Sequence, residues 1–162
     1  MMDEVVMEES AQVVTGPDVE ALYASERVGL VRLAFLMTGS IETAEDVVQS
    51  AWVNVLPRLV EATTPGAYLR TAVVNEARSR LRRRRRAPKL PTEVSARIDD
   101  SAVELWDALR RLPERRRVAV VLRYWGDLST DEIAEAMGCR PGTVSSLLHR
   151  GIDSLRKELA DD

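Results

Sequence analysis

The residues best equipped for chemistry on another molecule lie between Ala67 and Arg86. Arg70, Arg78 and Arg80 lead into five consecutive arginines, Arg82 to Arg86. A guanidinium is a planar, permanently charged fork, suited to phosphate oxygens and base edges. Thr71, Asn75, Arg78 and Arg82 recur at helical spacing, so a hydrogen-bonding stripe would run toward the cationic end. The implied chemistry is a grip on a polyanion. The plainer alternative is a solvated charge run leading into a linker. Turnover is not indicated, because no carboxylate cluster, nucleophile–base pair or metal-ligand set is arranged for it. One cysteine, Cys139, and one histidine, His149, argue against a zinc site within the chain. No cofactor is expected.

A second group lies near the C-terminus. Ser129 and Glu132 carry the spacing of a capping box. A short helix to Met137, a turn at Gly138 and a longer helix from Pro141 to about Leu159 complete a helix-turn-helix pattern. Arg140, Thr143, Ser145, Ser146, His149 and Arg150 would then face a duplex. The helix start at Ser129 offers N–H groups for a phosphate. Cys139 reads as a small buried residue at the turn. A third group, Glu42, Glu45, Asp46 and Gln49, makes an acidic helix side that either docks on a basic partner or is simply solvated.

The elements that must position these residues read as helices throughout. Asp18 caps a helix with Val19, Leu22, Tyr23, Leu30, Leu33, Ala34 and Met37 inward, ending at Gly39. Ser40 caps the next, with Ala44, Val48, Ala51, Trp52, Val55 and Leu59 inward. After the loop to Pro65, Leu69, Val73, Ala77 and Leu81 form one stripe of the basic helix. In the C-terminal part Leu105, Trp106 and Leu109, then Val118, Val121, Leu122 and Trp125, and finally Val144, Leu148, Ile152 and Leu155 point inward. The expected fold is all-α: two small helical domains, 18–86 and 101–162, joined by a flexible proline-containing linker at 87–100. Residues 1–17 read as an acidic, disordered tail.

Composition supports a localised binding face. The chain of 162 residues has a net charge of −3, yet residues 67–91 hold nine Arg or Lys against one Glu, a local +8 that leaves −11 elsewhere. A basic segment in an acidic chain points to one polyanion face and other surfaces free for different partners. Aromatic residues are only 4%, so the cores must be mostly Leu, Val and Ala. A lone cysteine fits a reducing cytoplasm. No run is long or apolar enough to span a bilayer, and the acidic start does not read as a signal peptide.

Two strings carry a resemblance. TAEDVVQSAW (43–52) followed by AYLRTAVVNEARSRLRRRRR (67–86) resembles conserved region two of bacterial sigma factors. LRRLPERRRVAVVLRYWGDLSTDEIAEAMGCRPGTVSSLLHRGIDSLRKEL (109–159) resembles their region four. The order and the linker are most similar to the extracytoplasmic-function group, in its actinobacterial sigma-E-like members. The resemblance implies a non-enzymatic, cytoplasmic transcription initiation factor without membrane insertion, partnered by core RNA polymerase through its β′ clamp helices and β flap, and by promoter DNA. It implies polymerase contacts at Glu45, Asp46, Gln49 and Trp52. Thr63, Thr64, Tyr68, Arg70, Asn75, Arg78 and Arg82 would hold the melted minus-ten strand. Ser129, Arg140, Thr143, Ser145, Ser146, His149 and Arg150 would read the minus-thirty-five duplex. An anti-sigma protein is a further partner the family allows.

Three departures from the family pattern stand out. Tyr68 replaces the usual tryptophan, Ser79 a common aspartate, and Ser145 and Leu147 a lysine and an arginine. The last pair removes two cations from the duplex-facing side. The competing readings are a stand-alone helix-turn-helix regulator, which needs neither the acidic face nor the basic helix, and an enzyme acting on nucleic acid.

Overall fold

The computed structural model describes residues 18–84 and 99–161, and every regular element among them is an α-helix. In chain order these are α1 (Val19–Thr38), α2 (Ile41–Leu59), α3 (Pro65–Arg84), α4 (Asp100–Leu109), α5 (Glu114–Tyr124), α6 (Thr130–Met137) and α7 (Pro141–Ala160). The tail 1–17 and most of the expected linker lie outside the described residues. The linker's end is shifted, because Asp99 caps α4 by accepting from Ala102 N and Asp100 is already helical.

The helix boundaries follow from local chemistry. Asp18 accepts from Ala21 N at the start of α1. Gly39 ends that helix at φ 74°, a left-handed conformation that a side chain disfavours. Ser40 then caps α2 through Thr43 N. Gly138, at φ 63°, closes α6 in the same left-handed way.

α2 packs on α1 and α3, and α3 also meets α1, giving an antiparallel three-helix group. The α3 stripe is as its spacing requires, with Leu69, Val73, Ala77 and Leu81 buried and Val74 joining them. α5, α6 and α7 form the second group, with α4 against α7. Here the inward set is less deep than the periodicity implies. Val144 is buried, but Leu148, Ile152 and Leu155 are only partly covered. Trp125 lies at the α5 C-cap, 37% exposed rather than inward.

The larger difference concerns the space between the groups. α4 and α5 pack directly on α1, so one continuous core runs through both. The C-terminal end of α1 is consequently covered on all sides. Phe35, Leu36 and Met37 are 0% exposed, although a single-stripe reading places only Met37 inward. Phe35 meets the Trp106 ring with centroids 5.8 Å apart.

Candidate nucleic-acid interface

The turn between α2 and α3 and the first turns of α3 form a shallow hollow of about 450 Å³, lined by Arg58, Thr63, Thr64, Ala67, Tyr68 and Thr71 among others. The hollow exists because α2 stops at Leu59, where two turn bonds, Glu61 N to Arg58 O and Ala62 N to Leu59 O, reverse the chain. α3 then starts at Pro65, whose missing N–H suits a first turn. Tyr68 is 38% exposed at the edge of the hollow, leaving a ring face for stacking. Thr63 and Thr64 are exposed on the loop, and Arg58 supplies a cation. Such a recess, with a ring, hydroxyls and a guanidinium, has the size and chemistry to hold an unstacked base.

Along α3 the polar stripe divides. Asn75 and Arg82 are exposed and Arg70 is half-buried. Other arginines of the basic run are engaged inside the fold. Arg80 Nε donates to Glu76 Oε1 at 3.0 Å and its Nη2 to Ser50 Oγ at 3.4 Å. Arg84 donates to the carbonyl of Thr38 at the end of α1. The run therefore works partly as a set of ties holding α3 to α2 and α1. Arg78 donates to the backbone carbonyl of Ala136 in α6, so this residue of the polar stripe also reaches the helix-turn-helix.

The α2 side is exposed where the sequence places it. Asp46 and Gln49 face solvent and Glu45 is half-buried. Trp52 is not on the open face: it is half-buried, its ring 4.6 Å from that of Tyr23. It therefore anchors α1 to α2. Sequence reasoning overlooked Val53, 61% exposed, and Leu56, 40% exposed. They continue the Asp46–Gln49 stripe at helical spacing, and that spacing was the available signal. Exposed apolar groups beside acids make this face suited to a protein partner.

In the helix-turn-helix, Arg140, Ser145, Ser146, His149 and Arg150 are all exposed and Thr143 is half-buried. The set forms one outward side of α7. No side chain caps α7, which starts from extended Arg140 with Pro141 at its first position. Ser145 Oγ donates back to Pro141 O at 3.2 Å. Ser129 departs from expectation as a phosphate site. Its N–H donates to Glu132 Oε2 at 2.7 Å, while its hydroxyl accepts from Glu132 N at 3.2 Å. The capping box satisfies two donors internally and sets a carboxylate where a phosphate would approach. Cys139 is half-buried against the core.

Comparison with known proteins bears on both groups of helices. The family model "Sigma-70 region 2" matches residues 22–87 and "Sigma-70, region 4" matches residues 102–155. An RNA polymerase sigma-E factor of Streptomyces avermitilis is 36% identical over 141 residues, 80% of this chain and 78% of that protein. The ECF RNA polymerase sigma factor SigL of Mycobacterium tuberculosis is 32% identical over 160 residues, 87% of this chain and 88% of that one. Among solved structures, the Mycobacterium tuberculosis extracytoplasmic function sigma factor SigJ shares 26% identity at a TM-score of 0.60, over 84% of this chain and 52% of that chain. The Bartonella quintana sigma factor RpoE, solved with the anti-sigma factor NepR, shares the fold at 22% identity and a TM-score of 0.64, over 88% of this chain and 99% of that one.

Proposed function

The chain belongs to the extracytoplasmic-function group of the sigma-70 family, and on that premise we propose that it is a transcription initiation factor that acts with core RNA polymerase. The observation that carries this reading is the presence, on one chain, of an exposed acidic and apolar α2 face, a base-sized hollow and a helix-turn-helix. A stand-alone regulator uses the last alone.

In this reading Asp46, Gln49, Val53 and Leu56 dock on the basic clamp helices of the polymerase, the apolar pair adding contact area to the acidic charges. The hollow takes a flipped base of the melted minus-ten strand, with Tyr68 stacking on it and Thr63 and Thr64 at its edges. Arg70, Asn75, Arg78 and Arg82 follow the strand along α3. Such capture combines a cationic track with a ring platform. α7 meets the minus-thirty-five duplex with Arg140 and Thr143 at its leading end, followed by Ser146, His149 and Arg150. The two helix groups serve as separate modules in the polymerase. The factor works in the cytoplasm and catalyses nothing itself. No helix among the described residues is long and apolar enough to cross a membrane.

Gel filtration of the full chain with core polymerase tests the first step, and run-off transcription across a promoter library tests the second. Co-elution and at least one discrete transcript are expected. Neither is compatible with failure of the reading, and absence of both would overturn it. Tyr68→Ala separates the parts. It should weaken open-complex formation by about ten- to a hundredfold, the worth of one base stack, while leaving co-elution intact.

A further inference from the structure

Contacts between α1–α3 and α4–α7 gather at one place, the C-terminal end of α1. Trp106 lies so close over Gly39 that a Cβ there would overlap its ring. Arg117, only 8% exposed, reaches from α5 to donate to Met37 O at 3.1 Å. At the rim, Arg32 donates to Ser101 Oγ at 3.1 Å and approaches Asp99 at 3.8 Å. A fourth contact lies farther along, where Arg78 of α3 donates to Ala136 O of α6.

We propose that these contacts form a closed resting state in which the helix-turn-helix occupies Arg78, so that a single DNA strand on α3 must compete with α6 and closure must be released for the strand to bind. This rests on the functional reading only for the identity of the competitor.

The chemistry of the interface suits a state that opens. Its apolar centre is small, built around Trp106, Phe35 and Gly39. Around it, apart from the Arg32–Asp99 pair, cations outnumber acids. Arg78 and Arg82 of α3 line one gap with Arg115 of α5, and Glu114 is the acid among them. Burial disfavours the charge of Arg117, Glu114 favours it, and Arg84 disfavours it more weakly. Like charges across a contact subtract from its stability. A polyanion arriving on α3 relieves that repulsion and takes over the Arg78 donor, so strand binding and opening favour one another. A ligand whose competent state is only a fraction of the population binds more weakly by that fraction.

Hydrogen exchange of the full chain, compared with Trp106→Ala and Arg32→Ala, tests closure. Neither residue belongs to the binding faces described above. Exchange at 35–40 and at 114–118 should rise about tenfold or more in Trp106→Ala and less in Arg32→Ala, as local opening becomes cheaper. Residues 44–51, inside α2, should stay protected and so report an intact fold. A fluorescent single-stranded DNA of mixed sequence is the second probe. Both variants should bind it about three- to tenfold more tightly than the parent, because the open fraction has grown. Identical exchange in all three proteins overturns the closed state. Faster exchange with unchanged DNA affinity overturns the competition. If the DNA binds none of the three, the competition is overturned, while the functional reading still stands or falls on co-elution with core polymerase and the run-off transcript.

Discussion

Arg117 holds its guanidinium over the indole of Trp106, with the central carbon 5.0 Å from the ring centre. The same side chain donates to Met37 O, joining α4, α5 and the end of α1 through one cation. Burial pushes its pKa down, yet an arginine remains charged in a protein, so the site needs both the stacked face and the acceptor. Lysine offers neither a planar face nor a fork. Arg117→Lys should therefore lose most of the stabilisation, and Arg117→Met should leave the Met37 carbonyl without its donor. We expect a loss of about 2–4 kcal/mol for Arg117→Met, from a charged hydrogen bond and a desolvated cation–π contact. Urea unfolding of the full chain measures it. A loss within about 0.5 kcal/mol, typical of open surface positions, would show that the cation contributes nothing net.

This contact also marks where the sequence stops being legible. Helix positions, caps and the α3 stripe follow from local rules: Asp18, Ser40 and Ser129 cap as their types suggest. Those rules work because each involves neighbours within one turn. Arg117 sits in the run Arg115–Arg117 and looks solvated there. The approach of α1, 80 positions away in the chain, together with Trp106 of α4, buries it. The same long-range contact explains Phe35 and Leu36, which lie off the stripe that faces α2 and α3. Their apolar character all round the helix was the readable hint that a second surface covers α1. Ser129 shows the opposite limit: its capping box was legible, but the box competes with the phosphate role assigned to the same residue.

Gly151 lets α7 approach α5. A Cβ placed there would stand 2.8 Å from Val120 Cγ2, and Val120 is buried. Alanine in a helix gains up to about 1 kcal/mol over glycine, whereas overpacking a core costs about 1–3 kcal/mol. The two nearly offset for one methyl group. Gly151→Ala should change stability by no more than about 1 kcal/mol, and Gly151→Leu should lose about 2–3 kcal/mol or more. Thermal melts of the two variants check this. An unchanged melt for Gly151→Leu would show that α7 can shift outward at no expense.

Val53 and Leu56 are exposed, so their truncation tests the partner face. Val53→Ser and Leu56→Ser should each alter unfolding stability by about 0.5 kcal/mol or less. If the α2 face docks on polymerase, the double variant should lose about tenfold or more in affinity for core enzyme, as expected when buried apolar contacts at an interface are removed. Competition against the parent chain for a limiting amount of core enzyme reads this directly. Equal competition would move the docking surface away from this end of α2.

Ser145 is exposed on α7 between Arg140 and His149, and its hydroxyl donates back to Pro141 O. A serine here adds no cation to the side proposed to meet the duplex. The slope of log affinity against log salt falls by about 0.9 for each phosphate neutralised on B-form DNA. Ser145→Lys should steepen the slope by about one and tighten binding at low salt, and the gain should be uniform across sequences because a phosphate contact carries no base information. Arg150→Ala should do the reverse, flattening the slope by a similar amount. Holoenzyme binding to promoter duplex over a salt series gives both numbers. If Ser145→Lys left the slope unchanged while Arg150→Ala flattened it, the backbone would lie on the far side of Arg150, and the leading end of α7 would be turned away from the phosphates.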